Sequence, residues 1–156
     1  VLKGMAAMRE EINEGYKAAM KAHDQRRTAT LRSINAVIKD KDIANRGEGK
    51  PPLSDDELLV VLQKMVKQRE ESLAIFTQAG REDLAVVERE EIAIISELLP
   101  KSLSEAEVDA AIQAAIAKTG ATGAKDMGKV IASLKADYPG RIDFGKAAGK
   151  VKAALG

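Results

Sequence analysis

The stretch GAKDMGKV, residues 123–130, places Gly123, Gly128 and Lys129 where a phosphate-binding loop would have them. In such a loop backbone amides cradle the phosphates, and a hydroxyl directly after the lysine holds magnesium. Here that position is Val130, no strand pattern precedes the loop, and Met127 falls in an apolar helical stripe. The segment therefore reads as the entry of a helix, with glycines for close packing, and no nucleotide or other cofactor is expected.

Other catalytic groups are sparse. His23 is the sole histidine and there is no cysteine, which excludes thiolate nucleophiles and His/Cys metal clusters, and no Ser-His-Asp constellation is expected. Glu88, Glu90 and Glu91 offer carboxylates, and acid–base work needs two with separated pKa values. Their helical register spreads them round the axis, and pairing with arginine is the commoner outcome. Ser96, Ser102 and Ser104 lack the lysine or second serine of a serine amidase, and Ser104 is a helix cap. No catalytic residue and no metal ligand is assigned; the chain is not expected to carry out chemistry alone.

Binding chemistry is better represented. Lys125 and Lys129 are four apart, as are Lys146 and Lys150, with Arg141 between the pairs. Residues 121–156 hold seven basic and three acidic side chains, against three basic and nine acidic in 81–109, although the whole chain carries only +1. Lysines meet phosphates as point charges and arginine binds them bidentately. With 3% aromatic residues there is no ladder on which single-stranded bases could stack. Backbone and shape contact is the expected mode. The plainer reading is a solvated, mixed-charge helical face.

These residues need helices to position them, and the sequence punctuates helices clearly. Val1, Leu2, Lys3 and Gly4 read as out of register with the first helix. Met8, Ile12, Tyr16, Ala19 and Met20 form its stripe; Asp24 caps a second helix with Leu31, Ile34 and Ile38 inward. His23 belongs to the solvated link between them. After the Gly/Pro-rich loop 46–52, Ser54 and Glu57 form a capping box opening a long helix. Its expected seam is Leu59, Leu62, Val66, Arg69, Leu73 and Phe76, where Arg69 either lays its methylenes along the core and reaches water or pairs with a carboxylate such as Glu88 or Glu91 on the neighbouring helix. Gly80 stops it. A fourth helix is expected from about Glu82 to Leu99, ended by Pro100. A second capping box, Ser104 with Glu107, starts a helix with Val108, Ile112, Ala115 and Ile116 inward. Met127, Val130, Ile131 and Leu134 mark a short helix. Asp143 caps the last, with Phe144, Ala148, Val151 and Leu155 inward; its closely spaced glycines imply fraying or very close packing.

The fold class is therefore all-α. An N-terminal long-helix hairpin or bundle, residues 5–99, precedes a small C-terminal three-helix unit, residues 100–156.

Three stretches carry a family resemblance: EREEIAIISELLPKSLSEAEV (88–108), KDMGKVIASLK (125–135), and SDDELLVVLQKMVKQREES with FTQAGREDLA (within 54–85). RTATLRSINAVIKDKDIA (27–44) agrees with them. In order and spacing they resemble the YqeY family over nearly the whole chain. From about Pro100 onward the chain is similar to the tail of the GatB amidotransferase subunit. That resemblance implies a non-catalytic, tRNA-binding accessory role beside a glutamine-dependent carbon–nitrogen ligase, with Lys125, Lys129, Arg141, Lys146 and Lys150 as the contact residues. The competing expectation is a helical protein–protein module that recruits an amidotransferase or aminoacyl-tRNA synthetase. No apolar run approaches the ~20 residues that span a bilayer, and no signal-peptide pattern opens the chain. A cytoplasmic setting without membrane partners is expected.

Overall fold

A computed structural model of the chain describes residues 7–156. Val1, Leu2, Lys3 and Gly4, and the expected domain start at residue 5, lie outside them. The described residues form seven α-helices and one 3₁₀ turn, with no strand among them. They divide into two compact units that meet in sequence between Leu99 and Pro100.

The first unit contains α1 (Ala7–Lys21), α2 (Gln25–Gly47), α3 (Asp55–Gln78) and α4 (Glu82–Ser96). Asp24 accepts the Arg27 amide and so satisfies one orphan donor at the start of α2. His23, in the turn before it, is exposed and sits at φ 56°. Ser54 and Glu57 exchange side-chain and backbone bonds of 3.0 and 3.2 Å, the expected capping box. At the far end of α3 the chain turns through Gly80, φ 70°, into α4.

Met8, Ile12 and Ala19 of α1, Leu31, Ile34 and Ile38 of α2, and Ile95 of α4 converge on one core. Met20, assigned to the stripe of α1, is 44% exposed instead. On α3 the core-facing residues are Leu58, Val61, Leu62 and Met65, whereas Leu59 and Val66 are only partly buried. The seam is thus displaced by about one residue through its first half. Residues 58–62 are uninterrupted apolar side chains, so periodicity alone does not choose which of them face inward. Beyond Met65 the α3 face belongs to its pairing with α4, where Leu73 and Phe76 are half-buried and Ala85 is fully buried. Helix α4 stops at Ser96, and Leu98 and Leu99 pack on the core from the non-helical segment beyond it.

A polar clamp fastens the start of the unit. Arg9 donates to both carboxylate oxygens of Asp42 at 2.8 and 2.9 Å and to the Leu53 carbonyl at 3.0 Å. Asp42 also accepts the Leu53 amide at 2.9 Å, so one carboxylate ties α1, α2 and the loop before α3.

The second unit contains α5 (Glu105–Thr119), α6 (Met127–Asp137) and α7 (Phe144–Leu155), with a 3₁₀ turn at Ala124–Asp126. Ser104 and Glu107 form the second capping box, at 2.9 and 3.1 Å. Gly120 ends α5 at φ 68°, where its amide reaches the last carbonyls. Ala111, Ile112 and Ala115 of α5, Val130 and Leu134 of α6, Ile142, and Ala147 and Val151 of α7 make the core. On α7 Val151 is buried as expected and Ala147 is buried with it, while Phe144, Ala148 and Leu155 are only partly buried.

Candidate nucleic-acid interface

The second unit sets its cations from short elements whose apolar sides are fixed by the core. Lys125 lies in the 3₁₀ turn, exposed and with no anionic partner among the described residues. Lys129, in the first turn of α6, has its Nζ 3.5 Å from Asp126 Oδ1. Asp126 is itself buried, and its other oxygen accepts the Thr122 amide at 3.0 Å. That backbone bond, and the Lys129 charge after it, hold the Asp126 carboxyl below its ordinary pKa. The loop thus engages its own carboxylate through the Thr122 amide and Lys129. Gly123 and Gly128 have open space where a Cβ would stand, so neither is there for close packing, contrary to the expectation from sequence. Gly149 in α7 is equally open, and the helix continues through it to Leu155.

Arg141 comes directly after Gly140 in the connection to α7. Its Nε donates to the Lys101 carbonyl at 2.9 Å and its guanidinium lies 6.0 Å from the Tyr138 ring centroid. The Leu103 amide donates to the Arg141 carbonyl, which pins this arginine to the segment leading into α5. Lys146 is exposed in the first turn of α7; its amide caps onto Asp143 at 3.2 Å, and its ammonium has no ion-pair partner among the described residues. Lys150, one turn on, reaches α5 and lies 2.7 Å from Asp109 Oδ1 and 3.2 Å from Glu105 Oε1. The Asp109 hydrogen bond, more than any other influence, raises the Lys150 pKa above its ordinary value.

Of the five predicted cations, the structure thus leaves Lys125 and Lys146 without acceptors among the described residues. It gives Lys129 and Lys150 carboxylate partners, and holds Arg141 against a carbonyl and an aromatic ring. Lys146 and Lys150 share the flank of α7 turned toward α5, while Lys152 falls on the other flank at 3.6 residues per turn. Lys152 is exposed and has no ion pair among the described residues, and Lys135 of α6 stands 5.8 Å from the Phe144 ring centroid. Glu105 and Lys150 are separated by 45 positions, so no local spacing links the α5 carboxylates to this lysine.

No group of three or more His, Asp or Glu side chains that could hold a metal occurs among the described residues. In the first unit Arg69 Nε bonds Glu91 Oε2 at 3.1 Å and its NH1 donates to the Met65 carbonyl, so the odd arginine of the α3 seam has the carboxylate partner expected for it.

The described residues thus form two all-helical units, the second with a local excess of basic over acidic side chains. The chain belongs to the Yqey-like protein family, whose sequence profile matches residues 9–155. It is similar to proteins named "Altered inheritance of mitochondria protein 41, mitochondrial". The relative from Kluyveromyces lactis is 34% identical over 114 residues, 71% of this chain and 57% of that protein. Those from Eremothecium gossypii and Saccharomyces cerevisiae are 37% and 31% identical, covering 54% and 60% of this chain and 44% and 49% of theirs. The chain spans about half the length of the curated relatives it matches.

These names overturn the cytoplasmic expectation, since the relatives are mitochondrial proteins by name. That expectation rested on missing features. A lack of cysteine and of long apolar runs does not distinguish one aqueous compartment from another. No helix among the described residues is long and apolar enough to cross a membrane.

Proposed function

We propose that the chain is a non-catalytic accessory protein whose C-terminal helical unit contacts the phosphate backbone of tRNA, in the manner of the GatB amidotransferase tail. The observation that carries this reading is the local excess of cations over residues 121–156, with Lys125 and Lys146 exposed and unpaired among the described residues. Lys129 is exposed beside its contact with Asp126, and the Asp109 and Glu105 partners of Lys150 are exposed, so a phosphate competes for these cations at the surface. Arg141, anchored through Nε, keeps its terminal guanidinium nitrogens for a second acceptor. Affinity of this type is weakly selective for sequence and falls steeply with salt.

Titration of labelled tRNA with the full chain at 50 and 200 mM salt is the test. Binding that weakens with salt, and that drops about tenfold in the Lys125→Glu/Lys146→Glu variant, is the expected result. Affinity indifferent both to salt and to this charge reversal removes the proposal.

A second reading has its own support: three of the five cations are already engaged by groups within the unit, as expected if they organise a protein-docking surface. On that reading the partner is an amidotransferase or aminoacyl-tRNA synthetase. Co-purification with such a partner that survives nuclease treatment and the same lysine reversals favours it over direct RNA contact.

A further inference from the structure

Helix α2 of the first unit carries six basic and two acidic residues. Its apolar side, Leu31, Ile34 and Ile38, is buried in the core. Arg26 and Arg27 are spent on α4 and the residue after it, bonding Glu90 and Glu97 at 2.9 and 2.6 Å. The remaining outward face bears Arg32, Lys39 and Arg46, spaced at i, i+7 and i+14, all exposed. Seven residues advance a helix by about 10 Å and return nearly to the same bearing, so these three form a straight row roughly 20 Å long.

None of the three makes an ion pair among the described residues. The carboxylate beside Arg46 is Asp42, whose oxygens are occupied by Arg9 and the Leu53 amide. Glu48 is taken by Lys50 at 2.9 Å. On α1, Glu14 lies 3.7 Å from Lys17. Asp40 is the one exposed carboxylate of α2, and it sits about a quarter-turn from the row. Arg32 is held in place without being neutralised: its guanidinium stands 5.8 Å from the Tyr16 ring centroid, and its Nε and NH2 donate to the Tyr16 hydroxyl at 3.4 and 3.3 Å. An arginine oriented by a neutral partner keeps its full charge and its remaining donors for a ligand.

We propose that the outer face of α2, through Arg32, Lys39 and Arg46, binds the phosphate backbone of double-helical RNA. A regular line of cations fits a polyanion with regularly spaced charges, where affinity grows with the number of phosphates neutralised. A lipid surface is a poorer match. An interfacial helix presents an apolar side for insertion, and here that side is inside the core, leaving only Ile43, 55% exposed, near the row. The choice of RNA over DNA rests on the function proposed above. The row itself belongs to the other unit and stands independently of the C-terminal lysines.

The test uses the full chain, a labelled 16-base-pair RNA duplex and the corresponding DNA duplex, at 50 and 200 mM salt. The Arg32→Glu/Lys39→Glu/Arg46→Glu variant should bind RNA at least about tenfold more weakly, with the salt slope reduced by about 2 to 3. Because Arg32 touches Tyr16, a Lys39→Glu/Arg46→Glu variant is measured beside it; it should keep its helical circular dichroism and still lose about threefold or more in affinity. Unchanged RNA affinity in both variants overturns the proposal, as does a loss confined to Lys125→Glu/Lys146→Glu. If only the α2 variants lose binding, this inference stands and the C-terminal reading falls. Equal affinity for DNA overturns the assignment to RNA.

Discussion

Arg69 of α3 and Glu91 of α4 face one another across the helical hairpin, Nε to Oε2 at 3.1 Å, with side chains only 17% and 19% exposed. Glu88 lies one turn before Glu91 on the same helix. Burial, and the Glu91 charge after it, raise the Glu88 pKa above its ordinary 4.5, with Arg69 opposing that shift. The arginine is therefore the counter-charge for a half-buried acidic pair. Arg69→Ala strips it from both carboxylates and should cost about 1.5–3 kcal/mol in chemical denaturation. A midpoint within error of the parent chain would remove this role.

Glu88 also gives a pH signature. A carboxyl whose folded pKa is raised stabilises the fold below its unfolded pKa, and that contribution is lost as pH rises through the elevated folded value. Glu88→Gln should therefore raise the melting temperature at pH 7, with the gain shrinking toward pH 4. Melting curves of the two proteins across this range decide the matter; a gain that grows on acidification contradicts the assignment.

The Arg9–Asp42 clamp has the opposite sign. The Arg9 hydrogen bond is the chief cause of the lowered Asp42 pKa, helped by the Leu53 amide. Its stabilisation is complete above the unfolded value of 3.8 and is lost as pH falls through the lower folded one. Asp42→Ala leaves a guanidinium and a backbone amide without their acceptor and should cost about 1.5–3 kcal/mol at pH 7. The penalty should diminish in strong acid. Equal penalties at pH 7 and pH 2 would contradict the linkage.

Legibility from the residues alone depends on interaction range. Ser54 with Glu57 and Ser104 with Glu107 are three apart, so both capping boxes were legible, as were the Asp24 and Asp143 caps. Leu58 to Leu62 are apolar throughout, and only the arrival of α1 and α2 on one side decides that Leu58 and Leu62 are buried while Val60 is 51% exposed. Arg9 and Asp42 are 33 positions apart, and Lys150 and Asp109 are 41 apart; tertiary packing creates these pairs, and no spacing rule announces them. Arg69 was partly legible because an arginine inside an apolar seam demands a partner, and α4 offers few carboxylates at the right height.

The capping box at α3 can be tested alone. Ser54→Ala removes the oxygen that takes the Glu57 amide, at the mouth of the helix that carries Leu58, Leu62 and Met65 into the core. The expected loss is about 1 kcal/mol, and Ser54→Thr should recover most of it. If alanine and threonine behave alike, the cap contributes nothing measurable.

Lys150 yields the prediction most specific to the proposed function. Its ammonium is shared by Asp109 and Glu105, two carboxylates that occupy the place a phosphate would take. RNA binding through this flank of α7 must displace them, and their charges repel the incoming backbone. Glu105→Gln/Asp109→Asn removes both effects while leaving Ser104 and Glu107, which form the cap of α5, untouched. Affinity for tRNA should rise by about three- to tenfold at 50 mM salt, and the gain should shrink at 200 mM, where charges are screened more strongly. Lys150→Gln added to that background should return affinity toward the parent value, because the freed cation is the source of the gain. An unchanged or lower affinity in the double variant would mean that α5 and Lys150 serve only to hold the helices together, and Lys150 would then have no part in binding RNA.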